Sequence, residues 1–342
     1  MKICVISECG SWGPFDTVCN SINHYTKHQA TLVMREHDSY GFSSLSDSFA
    51  FFFHKDKEYS IRSIAEADCL LLFGLPTIER FIPEMLIKSR FWRKYGVSNP
   101  EKAVKSKKII YFAGCSKLLS NNSYTNDLYK QWNIDVFFHT MELRDYVKVK
   151  AKKILPYLPP MPIGVFKKIR KSYKKDDERL ILCHSPGAKF TKKDTKGTKS
   201  IIQCFENIKL KHKNISYSII HGMSNKQCLK TKAKCHIFVD QLVDENLYNV
   251  SPPYMGGLGK SGIEGMLLGC ASMTSYNNLC CEPYFPECTI IKIDSSNLEK
   301  TVEEFVLNKD LRIEVSRKQL EWASTYFSEE FFASYVFGHI GI

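Results

Sequence analysis

The sequence predicts an α/β protein of two Rossmann-like domains, each built on a parallel sheet, with a cleft between them. Short apolar runs recur along the whole chain, and stretches with helical periodicity separate them, as in doubly wound folds. The chain has 342 residues, more than one domain of this class usually contains. We therefore expect two sheets of similar size.

The expected strands of the first half are KICVIS, ATLVM, DCLLLFG, KKIIYFAGC and IDVFFHT. Helical stretches are expected near residues 22–27, within 76–95 and near 125–132. DCLLLFG is apolar on both faces and ends in glycine, which is typical of a strand buried inside a parallel sheet. Ligands of such sheets bind at the carboxyl ends of the strands, so polar residues there are site candidates.

The second half repeats this pattern after a proline-rich boundary. Residues 155–163, LPYLPPMPI, contain four prolines and are expected to break regular structure. This predicts domains at residues 1–160 and 161–342, with the lysine-rich stretch up to Arg179 as a connecting segment. The later strands are RLILCHS, SYSIIHG, HIFVDQL, ASMTSYN and CTIIKID, with helices at 198–211, near 225–232 and from 311 to about 337.

The composition is that of an ordinary globular protein. Hydrophobic residues make up 44% of the chain and charged residues 25%. Apolar runs fall short of the ~18 residues that span a membrane, and MKICVIS lacks the features of a signal peptide. The 13 cysteines contain no C-x-x-C spacing, so we interpret them as small core residues rather than zinc ligands. These features predict a cytoplasmic location, or the host cytoplasm for a viral protein.

The charge favours a polyanionic partner. The formal net charge is +12, and lysines form clusters along both halves. Nucleic acid, an anionic membrane surface and phosphorylated substrates all fit such a charge. A solvated lysine-rich surface explains any single cluster equally well. No obligate protein partner is indicated.

The most informative stretch is residues 249–269, NVSPPYMGGLGKSGIEGMLLG. Gly257 and Gly259 allow a ligand to approach the backbone closely. The helix expected from about Ser261 directs its free N–H groups and the positive end of its dipole at this loop, which suits a phosphate. Glu264 lies one turn into the helix, where its carboxylate can accept a hydrogen bond from a ribose hydroxyl. The stretch predicts a nucleoside-diphosphate site.

Other interpretations of this stretch fit less well. A P-loop requires a glycine where Tyr254 stands. Gly257, Gly259 and Gly262 satisfy G-x-G-x-x-G, but two prolines precede the pattern and it lies late in the chain, unlike a dinucleotide site. A glycine-rich loop that only caps a core helix is the remaining alternative.

Three segments between about residues 180 and 274 carry a family resemblance, which is specific in their order and their spacing. They are HSPGAKFTKKDTKGTKSII, CHIFVDQL and GGLGKSGIEGMLLG. They resemble the nucleotide-sugar-binding domain of GT-B glycosyltransferases, particularly the large retaining family that builds bacterial envelope glycans. YTKHQATLVM, EADCLLLFG and KKIIYFAGCS resemble the first domain more faintly. The resemblance implies the GT-B architecture and a nucleotide-sugar donor, UDP-sugar above all.

The resemblance also implies roles for individual residues. Glu264 would bind the donor's ribose, and Lys189 and Lys196 would neutralise the pyrophosphate, which gains charge as the glycosidic bond breaks. The last helix, about residues 320–337, would pack back on the N-terminal domain. The diphosphate or sugar would be faced by backbone groups of Gly257, Leu258, Gly259 and Lys260.

Two departures from the family bear on catalysis. The family's second acid, eight residues before Glu264, is Gly256 here. The family's histidine after the strand IIYF is Ala113, before Gly114. In the family the acid contacts the transferred sugar and the histidine lies close to it, so the sugar and the stereochemical outcome stay open here. An inactive nucleotide-sugar binder is a further alternative.

An inverting reaction would need a general base at the acceptor hydroxyl, whereas a retaining one relies on electrostatics and the departing phosphate. Asp38 and His37 are the first choices for a base, and Glu8 and His139 also lie at predicted strand ends. Each of these residues is, taken alone, more often a polar loop residue.

His184 and His221 end strands of the second domain. Either can line the donor cleft, and either can be a satisfied loop histidine. The sequence has no D-x-D motif, so we expect donor binding without a metal or other cofactor.

Two acceptors are compatible with these observations. The family resemblance favours a cell-envelope glycan, polysaccharide or lipid-linked, and FIPEMLIKSRFWRKY has the mixed apolar and basic character of a membrane-surface helix. That segment can equally clamp nucleic acid or belong to the core. The basic charge and the two departures favour DNA, because T-even-type phage enzymes that glycosylate hydroxymethylated pyrimidines share this architecture and size. Such an enzyme neutralises phosphates and flips the target base out.

Overall fold

The computed structural model of the protein describes residues 1–7, 15–34, 50–52, 55–74, 77–113, 127, 130–140, 153–173, 175, 179–186, 194, 196–243, 258–275, 286 and 288–341. These residues form two compact units, one of residues 1–162 with 327–342 and one of residues 163–326. The division falls between 162 and 163, where the sequence predicted 160 and 161.

The described part of the first unit contains a seven-stranded sheet. Its strands are β1 (Lys2–Ser7), β2 (Gln29–Met34), β3 (Ala50–Phe52), β4 (Cys69–Phe73), β5 (Lys108–Ala113), β6 (Val136–Thr140) and β7 (Lys153–Tyr157). All neighbours pair in parallel, in the order β3-β2-β1-β4-β5-β6-β7. The order reverses between β1 and β4, as in a doubly wound fold.

The five strands predicted in the first half are confirmed. They are recognisable because central strands of a parallel sheet are covered on both faces and are therefore continuously apolar. All of Cys69–Phe73 is buried, for example. The prediction that residues 155–163 lack regular structure is wrong at its start, since β7 includes Pro156. Among the described strands, β7 has β6 as its single neighbour, and an edge strand tolerates a proline.

The helices of the first unit complete its α/β layers. Those fully described before β6 are α1 (Phe15–Tyr25), α2 (Lys57–Glu66), a π-helical turn (Thr77–Phe81), α3 (Ile82–Leu86), α4 (Ser89–Lys94) and α5 (Pro100–Lys105). The segment FIPEMLIKSRFWRKY forms the end of the π turn, α3 and α4. Phe81, Ile82, Met85 and Trp92 are buried in the core of this unit, and Trp92 Nε1 donates to the Met85 carbonyl at 3.0 Å. Its main apolar side chains therefore serve the core and do not form a membrane-surface face.

The second unit has a five-stranded parallel sheet among its described residues. Its strands are β8 (Leu180–His184), β9 (Ile215–Ile219), β10 (Ile237–Val239), β11 (Ala271–Thr274) and β12 (Ile291–Lys292), in the order β12-β11-β10-β8-β9. Its helices are α6 (Ile163–Ser172), α7 (Thr198–Lys211), α8 (Asn225–Lys234), α9 (Lys260–Leu267), α10 (Leu298–Leu307) and α11 (Lys309–Tyr326). All five predicted strands are confirmed. The stretch predicted as a connecting segment instead contains α6, anchored by the buried Phe166.

The chain ends in α12 (Glu329–Ile340), which belongs to the first unit. Ser328 caps it by accepting a hydrogen bond from the Phe331 N–H at 3.0 Å, so the predicted helical tail breaks between α11 and α12. Tyr335 donates to the Pro156 carbonyl at 3.0 Å, and Lys108 donates to the Ile340 carbonyl at 2.6 Å. None of the described helices combines the length with the apolar composition that a membrane span requires.

Candidate functional site

The candidate site of the second unit lies at the carboxyl edge of its sheet, between β8 and β10. The chain passes from β8 outward to β9 and then returns to β10 on the other side of β8. This reversal is a topological switch point, where the loops leave in opposite directions and open a crevice for ligands. His184 ends β8, and Asp240 follows β10 directly.

An ion pair joins the two sides of this switch point. Lys196, just before α7, places its Nζ 2.8 Å from Oδ1 of Asp240. The Asp240 side chain is fully buried, whereas the Lys196 side chain is 21% exposed. An ammonium has three N–H donors, and within the described ranges Asp240 is the one partner of Lys196 Nζ, so donors remain for an anion. The predicted pyrophosphate lysine is therefore held at the crevice by a buried carboxylate.

Gly197 keeps the Lys196 segment close to the end of β10. Its φ is +66°, and a Cβ at this position would lie 2.2 Å from the Leu242 carbonyl oxygen. Only glycine meets both conditions. The Leu242 N–H donates to the Lys196 carbonyl at 2.8 Å, which fixes the backbone beside Asp240. The glycine of the Lys-Gly-Thr motif is thus explained by a close backbone approach.

The first turn of α9 packs directly on Asp240. Added Cβ atoms at Gly259 and Gly262 would lie 2.4 and 3.1 Å from Asp240 Oδ2. Gly259 is the N-cap of α9, and it provides no side chain to cap the free N–H groups of that turn. Oδ2 is buried and has no hydrogen-bond partner in the described part of the protein. The uncapped helix start, the carboxylate and Lys196 therefore meet at one point.

A different arrangement holds the start of α7. The Asp194 carboxylate accepts hydrogen bonds from the backbone N–H groups of Thr198 at 2.8 Å and Lys199 at 3.0 Å. Burial raises the pKa of Asp194, but these N–H donors lower it by more, so the pKa lies below its ordinary value. The anion-binding end of α7 is already occupied by the protein, whereas that of α9 has no side-chain cap.

Glu264 lies one turn into α9 and is almost completely buried. Its Oε2 accepts a hydrogen bond from Nζ of Lys232, on α8, at 2.6 Å. The side chains of Lys232 and Glu264 are 1% and 7% exposed. Burial lowers the pKa of Lys232, but the charge and hydrogen bond of Glu264 raise it by more, so the pKa lies above its ordinary value. The pair is a buried ammonium and carboxylate.

Helix α8 positions Lys232 through its own sequence signals. Ser224 and Gln227 form a capping box at the start of the helix. Leu229, Lys232 and Ala233 follow at helical spacing and form the buried face. Lys232 therefore occupies a position where the periodicity would place an apolar residue.

The donor-binding role predicted for His184 is not supported by its contacts. The side chain is fully buried, with Nδ1 2.8 Å from the Val239 carbonyl and Nε2 3.1 Å from the Thr198 hydroxyl. Burial lowers its pKa to about 4. Both ring nitrogens are used inside the protein, where they connect β10 to α7. His184 therefore has no ring nitrogen left to contact a nucleotide-sugar.

Three other predicted residues have defined places in the second unit. Leu258 is buried, which leaves its backbone rather than its side chain for a ligand. Lys260 is the first residue of α9. His221 is exposed and follows β9, the edge strand on the side of β8 away from β10. Ligand contact by these residues stays a prediction.

The remaining predicted site residues cannot be placed in the same way. Asp38, His37, Glu8, Lys189 and Gly257 lie outside the described residues. His139 is in β6 of the first unit, where the structure describes its backbone and not its side chain. No catalytic base is assigned from the structure.

Sequence reasoning missed Lys232, Asp240 and Asp194 as site residues. Lys232 carried a weak signal, a lysine three residues after Leu229 on the apolar face of its helix. Asp240 ends an apolar strand, which marked it as a strand-end acid without revealing its partner. In the described ranges, no group of three or more His, Cys, Asp or Glu residues is arranged to hold a metal ion.

Comparison with known proteins identifies the fold. No protein-family model and no curated protein sequence matches the chain. The fold is similar to Anabaena HepE in complex with UDP-glucose, at 10% identity over 100% of this chain and 99% of that chain, with a TM-score of 0.62. An alpha-glucosyltransferase in complex with UDP and a 13-mer DNA containing an HMU base matches at 16% identity over 99% of each chain, with a TM-score of 0.60.

A third solved structure extends the comparison. The UDP-forming α,α-trehalose-phosphate synthase from Burkholderia vietnamiensis matches at 10% identity over 100% of both chains, with a TM-score of 0.59. At these identities the similarity concerns the fold. The predicted α/β class and GT-B architecture are confirmed, and the two parallel sheets agree with it.

Proposed function

We propose that the protein is a glycosyltransferase that moves a sugar from a nucleoside-diphosphate donor, a UDP-sugar, to an acceptor hydroxyl. The observation that carries the proposal is the start of α9, which combines three features at the switch point of the second sheet. The helix begins at Gly259 without a side-chain cap, Lys196 lies on the other side of Asp240, and Glu264 follows one turn later. Solved structures of the same fold hold UDP or UDP-glucose, which supports the choice of donor.

Each feature matches one part of such a donor. The N–H groups and dipole of α9, with the Lys196 ammonium, suit the diphosphate. The Glu264 carboxylate suits the hydroxyl groups of the ribose. In the transfer, the bond between the sugar's anomeric carbon and the diphosphate oxygen breaks, and a bond to the acceptor oxygen forms. The acceptor proton passes to a general base in an inverting reaction or to the departing diphosphate in a retaining one, and the α9 turn and Lys196 stabilise the negative charge that the diphosphate gains.

For the acceptor, we propose a hydroxymethylated pyrimidine in DNA. The net charge of +12 suits a polyanion, and one protein of similar fold is described with DNA that contains an HMU base. The alternatives are an envelope glycan, favoured by the sequence motifs of the second half, and a nucleotide-sugar binder without activity, favoured by Gly256 and Ala113. Asp38 and His37 stay the candidates for a base.

The test is release of UDP from a panel of UDP-sugars, with and without duplex DNA. Three duplexes of one sequence carry 5-hydroxymethylcytosine, 5-hydroxymethyluracil or only ordinary bases. The proposal expects release that is stimulated by a hydroxymethylated duplex and not by the unmodified one. Donor binding without such stimulation would exclude DNA and leave the glycan acceptor or the inactive binder. Absence of any donor binding would contradict the proposed function as a whole.

A further inference from the structure

Lys232 is the most deeply buried ammonium group in the described part of the second unit, and it faces the site. Its side chain is 1% exposed, and its Nζ lies 4.8 Å from the centroid of the Phe238 ring. Its three N–H donors have three acceptors: Oε2 of Glu264 at 2.6 Å, the Ser261 hydroxyl at 2.6 Å and the Ser261 carbonyl at 3.4 Å. Lys232 therefore has no donor to offer a ligand directly.

We infer that Lys232 is a positioning residue, which holds Glu264 as a fixed carboxylate that selects ribonucleotide over deoxyribonucleotide donors. The inference rests on the proposed function. It assigns to Lys232 the task of presenting Glu264 to the ribose, and it makes the ribose hydroxyls the feature that the pair recognises.

The two oxygens of Glu264 have different surroundings. Oε2 is bound by Lys232, whereas Oε1 has no protein hydrogen bond among the described residues. An ionised carboxylate only accepts hydrogen bonds, so Oε1 recognises a group that donates one. A ribose hydroxyl donates, and the hydrogen atom that replaces it in a deoxyribose does not. The orientation of Oε1 follows from the bond that Lys232 makes to Oε2.

Charge gives Lys232 a second contribution to the same site. A buried carboxylate without a cation is strongly destabilised and takes up a proton, which turns one oxygen into a donor. Lys232 supplies the compensating charge from inside the protein, with its Nζ 2.6 Å from Oε2 of Glu264. A hydrogen bond to an ionised carboxylate is also stronger than one to a neutral acid.

Lys232 further connects the ribose-facing and diphosphate-facing parts of α9. Ser261, its second partner, lies in the first turn, next to Lys260 and the N-cap Gly259. One ammonium therefore fixes both Glu264 and the turn whose N–H groups suit a phosphate. This explains why a lysine occupies an apolar position of α8.

The experiment measures calorimetric dissociation constants of UDP, 2′-deoxy-UDP and 3′-deoxy-UDP for five proteins. They are the wild type, Lys232→Met, Glu264→Gln, the double variant Lys232→Met/Glu264→Gln, and Lys226→Met, which makes the same exchange at an exposed position of α8. We expect the wild type and Lys226→Met to bind UDP about tenfold more tightly than at least one deoxy analogue, the effect of one charge-assisted hydrogen bond. Lys232→Met should reduce this ratio to about twofold or less.

The double variant separates positioning from a general structural role. If Lys232 acts through Glu264, the double variant has the same UDP-to-deoxy ratio as Glu264→Gln. The double variant keeps the inference open to contradiction even if Lys232→Met alone does not fold, because it removes both buried charges. A lower ratio in the double variant than in Glu264→Gln would show that Lys232 recognises the ribose independently, against the inference.

Other outcomes overturn the inference without touching the proposed function. Equal affinity of the wild type for UDP and both deoxy analogues would show that Glu264 does not contact the ribose hydroxyls. A folded Lys232→Met protein that retains the wild-type ratio would show that Glu264 needs no positioning. A wild type that does not bind UDP at all would instead contradict the proposed function itself.

Discussion

Two lysine–carboxylate pairs at the candidate site of the second unit differ in which partner is the more exposed. In the Lys232–Glu264 pair the lysine is 1% exposed and uses all its donors inside the protein. In the Lys196–Asp240 pair the carboxylate is fully buried and the lysine is 21% exposed. The first pair presents a carboxylate oxygen, which suits a hydroxyl, and the second presents an ammonium, which suits a phosphate. The same ion-pair chemistry thus serves opposite parts of a nucleotide.

The largest expected effect comes from breaking the more buried pair. Lys232→Met leaves the Glu264 carboxylate buried without a cation, and the free energy of unfolding should fall by about 3–5 kcal/mol. Urea denaturation measures this loss. The double variant Lys232→Met/Glu264→Gln should recover most of it, because no buried charge remains unpaired. A loss that persists in the double variant would mean that packing, rather than charge, accounts for the effect.

His184, which lies beside the Lys196–Asp240 pair, should make the stability of the protein depend on pH. Its pKa is lowered to about 4 in the folded protein, so the unfolded chain binds a proton first as the pH falls. Stability from neutral His184 is fully present above the unfolded pKa of about 6.5 and is lost as the pH falls towards 4, by up to about 3 kcal/mol. Urea denaturation between pH 7.5 and 4.5, roughly the window of this titration, compares the wild type with His184→Gln. An equally steep slope in both proteins would contradict this assignment.

The contact between Asp240 and α9 predicts an intermediate effect. In Gly259→Ala the new Cβ would lie 2.4 Å from Asp240 Oδ2, so the helix start or the carboxylate must move. We expect a stability loss of about 1–3 kcal/mol and weaker UDP binding. Gly164→Ala is the matched control, because a Cβ there meets no atom within 4 Å and alanine favours a helix. Unchanged UDP affinity in Gly259→Ala would separate the α9 start from the donor site.

The smallest effect sharpens the contrast between the two pairs. Lys196→Met should weaken UDP binding about tenfold, by loss of one hydrogen bond between charged groups, and leave uridine binding unchanged. The ratio of UDP to deoxy-UDP affinity should stay at the wild-type value, in contrast to Lys232→Met. Calorimetry with UDP, 2′-deoxy-UDP and uridine measures all three quantities. A changed ratio of UDP to 2′-deoxy-UDP affinity in Lys196→Met would contradict the assignment of the phosphate to one pair and the ribose to the other.

The sequence predicts the fold better than the site. Buried parallel strands are continuously apolar, so ten of the strands could be read from runs such as DCLLLFG and HIFVDQL. The edge strand Lys153–Tyr157 could not, because Pro156 is a strand breaker except at an edge, and edge position is a property of the sheet. Glycine spacing likewise identified the start of α9, since close approach to a neighbour is a requirement that only glycine meets.

Partners across the sequence could not be predicted. Lys232 lies in a lysine-rich helix and is 32 residues from Glu264, so only the packing of α8 on α9 shows the pair. Asp240 and Lys196 are separated by 44 residues and meet because β8 and β10 are neighbours. His184 lies at a strand end, as ligand-binding histidines do, but tertiary hydrogen bonds use both of its nitrogens.

The most direct test of the account is a crystal structure of the protein with UDP. We expect the diphosphate at the first turn of α9 and within reach of Lys196, with a ribose hydroxyl donating to Glu264 Oε1. Lys232 should keep its bond to Oε2 in the complex. UDP bound elsewhere, or a ribose that makes no contact with Glu264, would contradict the central claim.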